Sequence, residues 1–388
     1  MRLPSAALLS LAFLIGCDQR TTKTETKAAA SAPVPAPPTA AIPATADTPS
    51  LPYWVPPTST DTLLTLNGQP YHLRVQSELD STQHLTTMVE SEPGRSDMIR
   101  GYEGRFTFTL RDSLNRPVFR RQLHKADFYK RIGAEVVVQS GAEAPTFLGY
   151  SAPFGALVFT LGFAVPGTDW GSEAVLLLDL QGRVIRMANG NDYGGGPESF
   201  PTLSKDGYTL LTEDEVLRAN RPAIPLEKPD AELRSAFFLS DTALVTVYEL
   251  GEWQKKRTPK GTEQEFVSTS AQKKIPNAFV LHTRTGQLLG KFRYDGYVEE
   301  MGYTVPRFYS PASYTLYLLD ENKGLTLLPQ KDPANAVFLP FAEMPKFIAP
   351  KRKTEVRFEK QADRKQYAFY VDTLEPTHAR CQLLYDGR

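Results

Sequence analysis

The stretch ALVFTLGF, residues 156–163, is apolar at every position except Thr160 and Gly162. A second short apolar run, AVLLL, occupies residues 174–178. Short apolar runs that are bounded by turn residues are typical of strands with both faces buried. The two runs therefore predict β-strands inside a layered core.

Working outward, the neighbouring segments alternate between apolar and polar residues. YHLRV at 71–75 and RFTFTLR at 105–111 have the two-residue period of half-buried strands. Helical periodicity is scarce, and the one short helix candidate is EDEVLRA at 213–219. The pattern predicts an all-β protein.

A faint internal repeat adds to this prediction. Residues 174–187 align with 278–292, with Gly182 and Gly286 in register, and residues 106–123 form a looser third copy. Each copy consists of an apolar strand, a polar turn and a second strand, so two hairpins per unit predict four-stranded sheets.

The segment PTLSKDG, residues 201–207, resembles the Ser-x-Asp-Gly turn of propeller blades related to the periplasmic translocation protein family. In a degraded second copy, residues 311–313 (PAS) replace the turn, and the copies are unevenly spaced. Two architectures stay open: an irregular β-propeller-like array, or two packed antiparallel β-domains. LNGQPYHLRV (66–75), RQLHKADF (121–128) and the segment 165–184 are also similar to β-rich lipoproteins of the Bacteroidota that have no assigned activity.

The N-terminus indicates a location. Arg2 precedes a short apolar segment that ends in Leu14-Ile15-Gly16-Cys17, which resembles the lipobox of bacterial lipoproteins. The resemblance implies a signal peptide over residues 1–16, cleavage before Cys17 by signal peptidase II, and a lipid anchor on Cys17 that attaches the protein to the inner or outer membrane. One thioether-linked lipid with an added acyl chain would hold the protein stably.

Composition suggests how the rest of the chain is organised. Residues 17–52 are rich in Ala and Pro and predict a disordered tether. A proline-rich segment at 219–232 predicts a seam between an N-terminal β region (53–220) and a C-terminal β region (230–388), although the two also fit one continuous β domain.

Several function classes find no support in the sequence. With 44 basic and 44 acidic residues, no global field attracts nucleic acid. The five histidines and two cysteines lack the spacing of a metal site, and GYSAP (149–153) lacks the last glycine of a nucleophile elbow. NGNDYGGG (189–196) fits a loop better than a calcium site, and the acidic residues 213–215 and basic triplets 255–257 and 351–353 fit a solvated surface. We predict no catalytic residue, metal or cofactor.

The segment 292–319 is rich in tyrosine and contains several carboxylates. Aromatic rings stack on sugars and peptides, while carboxylates accept their donors, although tyrosines also favour half-buried strand positions. The predicted ligand-binding residues are Tyr294, Tyr297, Glu299, Glu300 and Tyr303. The predicted function is a non-catalytic binding or assembly module of the cell envelope, with a glycan, a peptide or an envelope protein as partner. The alternative is an envelope hydrolase that acts on glycans or peptides.

Overall fold

Antiparallel strands make up most of the protein in the computed structural model. The model describes residues 57–92, 94–193, 196–258, 261–299, 302–320, 323–362 and 364–387, all of which belong to one compact unit, Pro49–Arg388. The predicted signal peptide (1–16), Cys17 and the tether (17–52) lie outside the described residues.

The first half of the described chain forms three four-stranded sheets in chain order. Sheet 1 contains β1 (Thr58–Leu66), β2 (Gln69–Glu92), β3 (Arg95–Asp112) and β4 (Pro117–His124). A 3-10 turn (Lys125–Phe128) and two short helices, α1 (Tyr129–Ile132) and α2 (Ala134–Gln139), follow. Sheet 2 contains β5 (Thr146–Ser151), β6 (Ala156–Ala164), β7 (Gly171–Asp179) and β8 (Val184–Tyr193). Sheet 3 contains β9 (Thr202–Leu203), β10 (Thr209–Leu211), β11 (Glu215–Arg218) and β12 (Arg221–Pro225).

The second half forms three more sheets and two small ribbons. Sheet 4 contains β13 (Ala231–Ser240), β14 (Ala243–Leu250), β17 (Ala278–His282) and β18 (Leu288–Phe292). A hairpin of β15 (Glu252–Thr258) and β16 (Gly261–Val267) is inserted between β14 and β17, and a 3-10 turn (Gln272–Lys274) follows it. The ribbon β19 (Val298–Glu299) and β20 (Tyr303–Thr304) follows. Sheet 5 contains β21 (Arg307–Ser310), β22 (Thr315–Asp320), β23 (Gly324–Pro329) and β24 (Val337–Pro340), and a 3-10 turn (Phe341–Glu343) leads to sheet 6, with β25 (Glu355–Ala362), β26 (Lys365–Asp372) and β27 (Ala379–Asp386).

Each sheet packs face to face against the next one along the chain. In β6, Leu157 and Phe159 enter the core shared with sheet 1, whereas Ala156 and Val158 enter the core shared with sheet 3. Separate apolar clusters join sheets 3 and 4, sheets 4 and 5, and sheets 5 and 6. The double coverage of β6 is the reason that its sequence is apolar without alternation. The all-β prediction is confirmed, and the fold is a propeller-like array of consecutive sheets.

The repeated glycines close hairpins as the sequence predicts. Gly182 and Gly286 have φ values of 77° and 78°, between β7 and β8 and between β17 and β18 respectively. In the Ser-x-Asp-Gly turn, Gly207 has φ 72° and Ser204 Oγ donates a hydrogen bond to Asp206 at 2.7 Å. A positive φ costs least free energy at glycine, so the local sequence predicts these turns.

The helix candidate at 213–219 is wrong. Its residues Glu215–Arg218 form β11, in which Val216 enters the cluster shared with sheet 4 and Leu217 the cluster shared with sheet 2. Burial on alternate sides satisfies a strand between two sheets, and this tertiary demand outweighs helix propensity. In the described part of the chain, the α-helices are α1 and α2.

The proline-rich segment 219–232 is built into the array. It supplies β12 to sheet 3, and Leu226 is buried in the cluster between sheets 3 and 4. Among the described residues, neither helix has the length or the apolar character that crossing a bilayer requires.

Candidate functional site

A cleft of about 680 Å³ opens where three distant parts of the chain meet. One wall comes from the end of β8 and the segment 196–200, which connects sheets 2 and 3; another comes from the segment 298–306, which connects sheets 4 and 5. Gln361 of sheet 6 also lines it. We call this space the central cleft.

Glu198 holds the two main walls together. Its carboxylate accepts hydrogen bonds from Ser235 Oγ at 2.9 Å, from the backbone N–H of Val305 at 2.9 Å and from Arg307 Nη1 at 2.7 Å. Its backbone also pairs with sheet 4, because the N–H of Ala236 donates to Glu198 O at 2.8 Å. The side chain is only 10% exposed, so these partners replace nearly all of its hydration.

Tyr303 lines the central cleft, and a buried arginine supports it. The guanidinium carbon of Arg234 lies 3.7 Å from the centre of the Tyr303 ring, and the group forms ion pairs with Glu232 and Glu249. Cation–π contact of this kind fixes the ring orientation. The Tyr297 ring lies edge-on to that of Tyr303, with centroids 6.0 Å apart.

The other predicted binding residues have different surroundings. Tyr297 lines a neighbouring pocket of about 390 Å³, and its hydroxyl donates to Glu249 Oε2 at 3.3 Å. Tyr294 is 2% exposed, and its hydroxyl donates to Leu319 O at 2.7 Å, which makes it part of the core between sheets 4 and 5 and not a ligand contact. Burial raises the pKa of the Tyr294 hydroxyl well above its ordinary value.

Three of the predicted site residues lie outside the described part of the structure: Cys17, Glu300 and the side chain of Glu299. The structure therefore brings together only Tyr297 and Tyr303 from the predicted set.

The sequence did not predict an acidic pair, in which Asp192 lines the central cleft and Glu213 lies next to it. Burial is the main reason that the pKa of the Glu213 carboxyl rises to about 7, and the charges of Asp192 and Asp214 raise it further. Asp192 lines the central cleft and accepts a hydrogen bond of 2.5 Å from Ser172 Oγ. A Cβ at Gly196 would lie 2.9 Å from Asp192 O and 3.4 Å from Glu213 Oε1, so the close approach needs glycine there.

A buried amide oxygen lies beside this pair. Asn191 also lines the central cleft, and its buried Oδ1 has no hydrogen-bond partner among the described residues. Asn191, Asp192 and Tyr193 end strand β8, so this part of NGNDYGGG is strand rather than the expected loop. Across the described parts of the chain, no group of three or more His, Cys, Asp or Glu side chains is arranged to hold a metal ion.

Comparison with known proteins gives similarity to solved structures alone. No family model matches the chain, and no curated protein matches it. TolB from Acinetobacter baumannii is 9% identical with a TM-score of 0.25, over 85% of this chain and 80% of that one. The Dos1 propeller is 11% identical with a TM-score of 0.32, over 80% and 75% of the two chains, and BamB from Moraxella catarrhalis is 10% identical with a TM-score of 0.20, over 86% and 98%. Likeness this low transfers no function, so the sheet topology and the cleft have to support the functional argument.

Proposed function

We propose that the chain is a cell-envelope lipoprotein, attached to its membrane through Cys17, whose β array is a non-catalytic binding or assembly module. The observation that supports binding is the central cleft, which has the Tyr303 ring on one wall and the carboxylate of Asp192 on the other. Such a combination suits a glycan or an extended peptide, because the ring stacks on an apolar face while the oxygens accept hydroxyl, amide or ammonium donors.

Two charged side chains at the cleft, Glu198 and Arg234, favour a structural role over a catalytic one. The carboxylate of Glu198 accepts hydrogen bonds from three donor groups, and Arg234 is held by two carboxylates and the Tyr303 ring. Groups that are saturated by fixed partners shape a cleft, but they have no proton or lone pair to exchange with a substrate.

The binding test uses the polypeptide Asp18–Arg388, produced without its leader so that it carries no lipid, and an array of envelope glycans and peptides. We expect Tyr303→Ala to weaken binding about tenfold, since a buried aromatic contact in a cleft contributes more than 1 kcal/mol. Tyr309→Ala is the matched control, because Tyr309 is an exposed tyrosine on β21 that does not line the cleft. Equal affinities for the two variants would remove the central cleft from the proposal.

A second candidate function, hydrolysis, is favoured by Glu213. One carboxyl with a raised pKa beside Asp192 is the arrangement that general acid–base catalysis uses. Product formation from a glycan or peptide, abolished by Glu213→Gln while binding persists, would support the hydrolase and overturn the non-catalytic proposal. Binding without turnover, unchanged by Glu213→Gln, is the result that we expect.

The anchor has its own test. We expect Cys17→Ser in the full chain to abolish incorporation of labelled palmitate and to leave an uncleaved precursor, because the thioether needs the cysteine sulfur. Continued labelling of this variant would end the lipoprotein proposal and leave the cleft argument untouched.

A further inference from the structure

The hairpin β15–β16 stands apart from the packed sheets. It is inserted between β14 and β17 of sheet 4, and the two strands pair only with each other among the described strands. Seven residue pairs hold the hairpin together, from Glu252 opposite Val267 to Thr258 opposite Gly261. None of the apolar clusters of the array includes a residue of the hairpin.

The strand register gives the hairpin two different faces. Residues that are paired across antiparallel strands share a face, and the face alternates from one residue to the next. One face carries Trp253 with Phe266, then Lys255 with Gln264, then Arg257. We call it the aromatic-basic face.

On the opposite face, the lysine is paired with a glutamate. It carries Glu252, Gln254, Lys256 and Glu265, and Lys256 Nζ lies 2.8 Å from Glu265 Oε2. The sequence block of three basic residues at 255–257 is therefore divided by the pleat, and its two outer members lie on the aromatic-basic face.

The aromatic-basic face is open to solvent. Trp253 is 60% exposed, and its ring lies 5.4 Å from that of Phe266 in an edge-on contact. Lys255 and Arg257 are exposed, and neither forms an ion pair with a carboxylate of the described residues. Lys255 and Arg257, which have no carboxylate partner among the described residues, lie next to an exposed indole ring and form a surface that favours an anionic partner with an apolar layer beneath it.

We propose that the aromatic-basic face docks on the surface of a bilayer that contains anionic phospholipid. Tryptophan places its apolar ring at the headgroup level of a bilayer, and lysine and arginine are attracted to the negative surface potential. A soluble polyanion would use the cations but would gain little from Trp253 and Phe266, so the bilayer accounts for both observations. The face does not depend on the central cleft or on lipidation of Cys17, although a membrane tether would raise its effective concentration.

The charge test compares two matched substitutions in unlipidated Asp18–Arg388. Lys255→Gln/Arg257→Gln removes both cations of the aromatic-basic face, and Lys256→Gln removes the neighbouring cation of the opposite face. With vesicles of phosphatidylcholine and about 30% phosphatidylglycerol at low salt, we expect cosedimentation of the parent chain and a loss of about 30-fold in the double variant, or about fivefold per charge. Lys256→Gln should bind like the parent. Salt at about 0.5 M should release both proteins from the vesicles, because it screens a surface contact between charges.

The aromatic test distinguishes a bilayer from a soluble polyanion. Brominated lipids should quench the tryptophan fluorescence of the parent, and Trp253→Phe should lose the part of this quenching that comes from Trp253. Trp253→Ala should lower vesicle binding without lowering binding to heparin. Thermal melts followed by circular dichroism confirm that each variant is folded.

Three results would overturn the proposal. The first is the absence of vesicle binding by the folded parent at low salt, and the second is an equal loss in Lys255→Gln/Arg257→Gln and Lys256→Gln. The third is full vesicle binding by Trp253→Ala together with displacement by heparin, which would assign the face to a soluble polyanion.

Discussion

Replacement of Glu198 by alanine should destabilise the fold more than the loss of any exposed ion pair. Glu198 lies between sheets 2 and 3 along the chain, yet its carboxylate is bonded to Ser235 of sheet 4 and to Val305 and Arg307 at the start of sheet 5. No other described carboxylate in the central cleft is shared by partners from so many parts of the chain. The substitution therefore tests whether this one side chain fixes the walls of the cleft.

The expected cost follows from the groups that lose a partner. The backbone N–H of Val305, a residue that is 1% exposed, loses a charge-assisted hydrogen bond, which costs about 2 kcal/mol. Arg307 keeps a hydrogen bond to Val305 O at 3.1 Å and its position over the Phe237 ring, so its unpaired charge adds about 1 to 2 kcal/mol. The total for Glu198→Ala is about 3 to 4 kcal/mol. Glu198→Gln keeps one acceptor and should cost about half as much.

The assay is urea unfolding of Asp18–Arg388, followed by circular dichroism and by tryptophan fluorescence, with agreement of the two signals as the check on a single transition. Glu359→Ala is the control, because Glu359 forms an ion pair with Arg357 on an exposed face of sheet 6 and should cost less than about 1 kcal/mol. A double-mutant cycle of Glu198→Ala with Arg307→Met should give a coupling energy of about 1 to 3 kcal/mol. If Glu198→Ala costs no more than Glu359→Ala, Glu198 does not fix the walls.

Two further predictions concern a titrating group and a buried amide. Because the folded pKa of Glu213 is raised to about 7, its contribution to stability is fully present below the ordinary carboxyl pKa near 4.5 and is lost as the pH rises through 7. Glu213→Gln should therefore reduce the fall in the free energy of unfolding between about pH 5 and 7.5 by about 1 kcal/mol, after allowance for solvent screening. Identical pH dependence of the two proteins in urea unfolding would contradict this prediction. Asn277, 1% exposed, donates to Tyr248 O and Tyr294 O at 2.7 Å each and accepts from Tyr294 N at 2.8 Å, so Asn277→Ala should lower the free energy of unfolding by about 2 to 4 kcal/mol, against less than about 1 kcal/mol for the exposed Asn335→Ala.

The strands and turns could be predicted from the sequence because their determinants are local. The run at 156–163 is apolar since β6 has a sheet on each face, and Gly182, Gly207 and Gly286 stand where hairpins need positive φ. Each of these features occupies fewer than ten consecutive residues, so the local sequence is enough to predict the strand or the turn.

The short strand β11 and the acidic pair could not be predicted in this way. β11 is a strand because sheets 2 and 4 bury its two faces, and both partners are distant in sequence. Asp192 and Glu213 are separated by a loop and two strands, and the fold brings them together beside Gly196. A pairing in space between residues that are distant in sequence leaves no periodic mark on a single sequence.

The tyrosine-rich segment shows where composition stops being informative. Tyr294 and Tyr303 were both predicted to bind a ligand, but they have opposite surroundings although both follow sheet 4 within a dozen residues. Asn277 decides the position of Tyr294, since its side-chain amide bonds both the N–H and the C=O of that residue and directs the ring into the core. Arg234 supports Tyr303 from behind and leaves the ring against the central cleft. A polar side chain from another part of the fold thus assigns each tyrosine to packing or to the cleft surface, and that assignment requires the three-dimensional structure.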